Sequence, residues 1–281
     1  MSTTRTAPTP ATRAGAAGNP GIVIASYAVR DKLALLGTVS AAMLGMGLLV
    51  GALWPSLKDT FADIQDSLPD AFVTVLAGAD MSTPSGWANA EMLSMVAPAA
   101  VIAVAVISAA KSVAGEEESK TLGVLLAAPV PRSAFLWAKV AATAVHVVLA
   151  SVAVGVGLLL GDLVGDMGLD VAGIVGASLH VAALGLLFGA VALAVSAWSG
   201  SARLTTAVAA GLGGLSFALA SFLPLSDSLT EGARTSPWYY YNSSDPLANG
   251  AEPVHLLVLV ALASLVLVGG QRGFARRDLR G

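Results

Sequence analysis

Six apolar runs, each long enough to cross a bilayer, take up much of the chain and leave only short polar stretches between most of them. They occupy residues 33–54, 92–110, 140–160, 171–198, 204–224 and 253–270. At ~1.5 Å per helical residue such runs cover a hydrocarbon core of ~30 Å once modest tilt or flanking residues are allowed for. A segment in that solvent must satisfy its own backbone hydrogen bonds, so the runs are helices and the expected fold is an all-α polytopic membrane protein of six transmembrane helices. The fourth run is overlong and is expected to tilt or extend beyond the core. A soluble domain is excluded by a composition that is 56% hydrophobic and 12% charged. The first run starts too far into the chain, is too long and is followed by too many others to be a secretory signal peptide. With no cysteine, neither a disulfide framework nor a thiolate metal site is expected.

The basic residues orient the spans. With both termini cytoplasmic, all of the 15 Lys and Arg except Lys58 and Arg234 fall inside, as the positive-inside rule requires. Trp54, Trp87 and Trp238 then sit near the outer boundary, Trp137 and Trp198 near the inner one, and Tyr239, Tyr240 and Tyr241 just outside, in the pattern of an aromatic belt. Residues 1–20 read as a disordered cytoplasmic tail, residues 21–32 as an amphipathic lead-in, and residues 271–281 as a basic tail suited to anionic headgroups. The six-helix domain is therefore expected over 21–270.

Inside the spans the only titratable side chains are His146, His180 and His255, on three helices and at different depths. His146 and His255 are placed near interfacial water. His180 is the deepest and marks a possible intramembrane polar site, or a hydrogen bond between helices. So sparse a set argues against a proton relay, intramembrane proteolysis or metal chemistry. Three small-xxx-small pairs, Gly47/Gly51, Gly157/Gly161 and Gly185/Gly189, allow close helix approach within a protomer or across a dimer. The stretch 226–252, with Pro237, Pro246 and three consecutive Tyr, reads as short re-entrant or interfacial helices broken by turns.

The segment 116–139 concentrates charge between the second and third runs. Leu122, Leu125 and Leu126 give its first half one apolar face, and Glu116, Glu117 and Glu118 lie where a helix N-terminus favours acids. Pro129 and Pro131 then break the chain, and Ser133 is placed to cap a new helix running through Trp137 and Lys139. The result is a stiff elbow on the cytoplasmic surface. Gly115 to Thr121 is not a phosphate-binding loop: Ser119 stands where the glycine before the lysine is required, the first glycine is one residue too close, and no strand precedes it. Any energy for transport must come from elsewhere.

The pattern Glu116-x-Glu118-x-x-Thr121, followed after seven, two and six intervening residues by Pro129, Arg132 and Lys139, resembles the signature of ABC-2 type transporter permeases. Lys120 departs from it, since the family usually has glycine there. The resemblance implies that 116–139 is the coupling segment contacted by a separate ATPase subunit, with Glu116, Glu118 and Arg132 as docking contacts and Pro129 fixing the elbow angle. ATP and Mg would bind on that partner, leaving no cofactor, metal or catalytic residue on this chain. It further implies a non-enzymatic permease subunit of an exporter in the plasma (cytoplasmic) membrane, surrounded by lipid, paired as a homodimer, without a nucleic-acid partner, and with the segment before the last helix forming an external cap. The alternatives are an ABC-type component for maturation or assembly of enzymes such as copper enzymes, and an ATP-independent channel.

Overall fold

The computed structural model describes residues 20–65, 80–118, 131–226 and 228–276, and every regular element among them is helical. A short helix α1 (Pro20–Arg30) turns at Asp31 into the first span, α2 (Leu33–Gln65). The second crossing is composite: α3 (Pro84–Ala88), a π-helical turn (Asn89–Leu93), α4 (Val96–Ala110) and α5 (Ala114–Glu118). The third and fourth spans are α6 (Arg132–Gly165) and α7 (Val171–Ser199). The fifth, α8 (Ala202–Phe222), is followed by two 3-10 turns and two short helices, α9 (Pro237–Asn242) and α10 (Pro246–Asn249), before the sixth, α11 (Pro253–Arg276). Among the described residues, six helices are thus long and apolar enough to cross a membrane.

Several boundaries differ from the sequence reading. The first span continues through Pro55 to Gln65, the second starts at Pro84, and the third runs from Arg132 to Gly165. Hydropathy marks only the part of a helix that lies in hydrocarbon, so a helix that carries on into polar surroundings is undercounted. Ser133 does not cap α6. Pro131, extended at φ −62° and ψ 140°, takes that position, because its fixed φ suits a helix entrance and its missing N–H costs nothing there. The link from α7 to α8 follows capping rules more closely: Asp170 accepts from the Ala172 N–H at the start of α7, Gly200 closes it at φ 61°, and Ser201 accepts from the Leu204 N–H.

Helix α7 is the hub, packed against α4, α6, α8 and α11, while α2 and α1 both lie along α6. The outer helices present apolar side chains such as Leu49, Leu215 and Leu265 outward, as lipid-facing surfaces do. Small residues set the packing distances. A Cβ on Gly47 would lie 2.1 Å from the Gly157 carbonyl oxygen, and one on Gly51 would lie 2.0 Å from that of Gly161. The first two glycine pairs therefore face each other and hold α2 against α6 within the protomer. Gly185 and Gly189 let α7 nest against Val101 and Ala105 of α4 and Val147 and Thr143 of α6.

The described part of the segment, 226 and 228–252, forms the broken helices expected of it, and they dock on the outer end of α7 through Gly173 and Gly176. The aromatic belt is only partly realised. Tyr27, Trp137 and Trp198 are exposed, but Trp54, Trp87, Trp238 and Tyr241 are buried. Trp87 donates its indole N–H to the Val50 carbonyl at 2.9 Å, and Tyr241 donates its hydroxyl to the Leu93 carbonyl at 2.5 Å. An amphipathic ring whose polar atom finds a backbone partner fills a core as well as it anchors at an interface.

Candidate functional site

The cytoplasmic end of the bundle gathers the described part of the charged segment. Thr121 and Pro129 lie outside the described residues, whereas Glu116, Glu118, Arg132 and Lys139 are all placed. Helix α5 carries the acids. Lys139, seven residues into α6, is buried and donates to Glu116 Oε1 at 2.5 Å, with its ammonium 5.2 Å from the centre of the Phe135 ring. Glu118 Oε1 accepts the Ala202 N–H at 2.9 Å, one of the free donors at the start of α8. The Ala114 N–H, at the head of α5, is taken by Ser196 Oγ of α7 at 2.9 Å. One turn and a half of helix is thereby tied to the third, fourth and fifth spans. Arg132 opens α6 and is exposed, as is Trp137.

Beneath these ties is a small apolar cluster of Val113, Phe135, Leu136, Ala197 and Phe274, with Ile24 of α1 against it. Phe135 and Phe274 stack with centroids 6.4 Å apart. Ser196, Phe135 and Phe274 were not singled out by sequence reasoning. The i, i+4 spacing of Phe135 and Lys139 is a local signal that could have pointed to one of them. At the α1–α2 turn, the Lys32 ammonium beside Asp31 holds its carboxyl below the usual range, aided by the fields of Lys111 and Lys139.

The histidines are not scattered as the sequence suggested. His146 is buried, with Nε2 3.2 Å from the Val29 carbonyl, so it fastens α1 to α6. His180 and His255 lie at one depth, with ring centroids 6.4 Å apart. They met because the cap folds back over α7 and brings the start of α11 beside it. His180 Nε2 accepts the Glu252 N–H at 3.1 Å, so the proton sits on Nδ1, which donates toward the Tyr240 and Tyr241 carbonyls at 3.2 and 3.0 Å. His180 thus pins α9 and the entrance of α11 to α7. His255 is half-buried against Tyr239 and Tyr240. Nearby, Asp245 adopts φ 46°, faces Asn89 Nδ2 at 3.5 Å, and has its carboxyl pushed up by burial.

No curated protein matches the chain. Residues 25–275 match the family described as the C-terminal domain of the multidrug efflux system permease Rv1217c. That span takes in all six long helices, both histidine sites and the charged cytoplasmic end. The chain therefore belongs to this family of ABC permeases.

Proposed function

We propose that the chain is the permease subunit of an ATP-driven ABC-2 type exporter, energised by a separate ATPase subunit that docks on the 116–139 segment. The observation that carries this reading is the fastening of α5 to three spans at once, through Ser196, Lys139 and the Ala202 N–H. A push on the segment would then reach α6, α7 and α8 together, which is what coupling ATP hydrolysis on a partner to a membrane path requires. Family membership supports the permease role. ATP and Mg would bind on the partner, and two permeases would pair around the path.

The residues divide by exposure. Exposed Arg132 and Glu118 belong to the docking surface, whereas half-buried Glu116 and buried Lys139 pass the motion on. Thr121 and Pro129, outside the described residues, are assigned to the same coupling segment, with Pro129 fixing its elbow angle. For the solute we infer an apolar compound. The description of the matched family names multidrug efflux, and a groove of about 350 Å³ between α4 and α8 is lined by Met95, Ile102, Val106, Phe217 and Trp238. That size and lining suit a drug-sized molecule.

The test is a pull-down of the intact protein from mild detergent, with mass spectrometry and an ATPase assay, comparing wild type and Arg132→Glu. Reversal of one rim charge is expected to lower recovery of a nucleotide-binding subunit roughly tenfold and to uncouple transport, with folding and insertion unchanged. Normal transport by this variant would overturn the coupling assignment. Recovery of no ATPase from folded wild-type protein would favour a channel.

A further inference from the structure

At the cytoplasmic end a small cleft opens between α1, the end of α4 and α6, lined by Lys32, Ser108, Lys111, Glu116, Lys139 and His146 among others. Its volume of about 40 Å³ admits a water or the oxygens of a larger group seated at its mouth. The floor is polar and unsatisfied. His146 and Ser108 are 2% and 5% exposed, and neither His146 Nδ1 nor Ser108 Oγ has a partner among the described residues. With its Nε2–H given to the Val29 carbonyl, His146 offers at Nδ1 an acceptor that suits a water, while the Ser108 hydroxyl is the donor available to an anion. Such atoms are costly to bury unless something meets them. The rim is cationic. Lys32 pairs with Asp31 and Lys139 with Glu116, but Lys111 is exposed and forms no ion pair among the described residues. Three ammonium groups therefore face two carboxylates.

The composition of α1 argues that the cleft sits near headgroup level. Helix α1 beside it exposes Ile22, Val23 and Tyr27, an apolar face with an aromatic anchor next to Arg30 and Lys32. Basic pockets between spans on the cytoplasmic side suit anionic headgroups.

We propose that this cleft binds a phosphate group at the cytoplasmic membrane surface, either in the headgroup of an anionic lipid or as soluble phosphate. Lys111 supplies the uncommitted charge, Lys32 and Lys139 share theirs, and the Ser108 hydroxyl donates from below. A phosphate held there bridges α1, α4 and α6, the elements that meet at the Glu116–Lys139 pair, and so stiffens the base on which the coupling segment rests.

The experiment uses the full chain in nanodiscs of phosphatidylcholine alone or mixed in equal parts with phosphatidylglycerol, with and without added inorganic phosphate. Native mass spectrometry reads the retained lipid and the melting temperature reads stabilisation. Wild type is expected to retain phosphatidylglycerol over phosphatidylcholine, and Lys111→Gln to lose about fivefold of that preference, the contribution of one cation near a membrane surface. Ser108→Ala should weaken it too, whereas Arg203→Gln, an equal charge change at the exposed start of α8, should leave it intact. Stabilisation by inorganic phosphate in phosphatidylcholine discs, lost in Lys111→Gln and without any lipid preference, would identify soluble phosphate as the ligand. An unchanged lipid preference in both cleft variants, with no response to phosphate, would overturn the proposal.

Discussion

Lys139 shows how a residue's partner determines what it does. Its charge reads in the sequence as the last of the charged segment, on a helix entering the third span, yet it is buried and sustained by Glu116 across an interhelical gap. Removing one member of such a pair leaves the other desolvated, so Lys139→Met should destabilise the protein by about 3 kcal/mol, and adding Glu116→Gln should restore part of the loss. Denaturant or thermal unfolding in detergent would read both, and unchanged stability in Lys139→Met would mean that solvent screens the pair. Asp245 carries a pH-dependent prediction. Burial raises its folded-state pKa above the ordinary 3.8, so the carboxyl destabilises the cap once ionised. The penalty is absent below 3.8, grows as pH rises through the folded value, and is full above it. Asp245→Asn, which tolerates the left-handed φ, should therefore melt higher than wild type at pH 7, with the difference vanishing toward pH 3.8. A wild-type advantage at pH 7 would mean that the ionised carboxylate is favourably held. Neither environment could be read from sequence, because each depends on a chain segment far away.

Among the elements, the pairing of α2 with α6 rests on backbone contact. The glycine spacings were visible in the sequence, but in a chain with 30 glycines their partners were not. Gly51→Val must push the helices apart, since even a Cβ would meet the Gly161 backbone at 2.0 Å. A cost of about 1–3 kcal/mol is expected from overpacking. Gly45→Val, on the same helix with open space around its Cβ position, should be nearly neutral. Comparing the two variants by thermal unfolding checks the interface, and equal effects would refute it. The composite second span illustrates the opposite limit. Its π-helical turn at Asn89–Leu93 and the burial of Trp87 follow from docking against α2 and the cap, which no local pattern announces.

For the whole molecule, orientation is the property with the simplest test, because the chain has no cysteine of its own. A single Ser228→Cys should react with a membrane-impermeant maleimide on intact cells, and Ser133→Cys only after permeabilisation; the reverse pattern would invert the topology. The number of spans and their order follow from the sequence alone, as does the expectation of a two-sided distribution of charge. Hydrocarbon imposes a length and a polarity on every segment that crosses it, and those constraints are local. Tertiary structure decided which helix touches which, and with it the use of each polar group. Folding the cap over α7 placed two histidines 6.4 Å apart, and docking α5 turned its acids toward Lys139 and the start of α8. Partners so distant along the chain are chosen by shape and by satisfaction of buried polar atoms, and both exist only once the helices have packed.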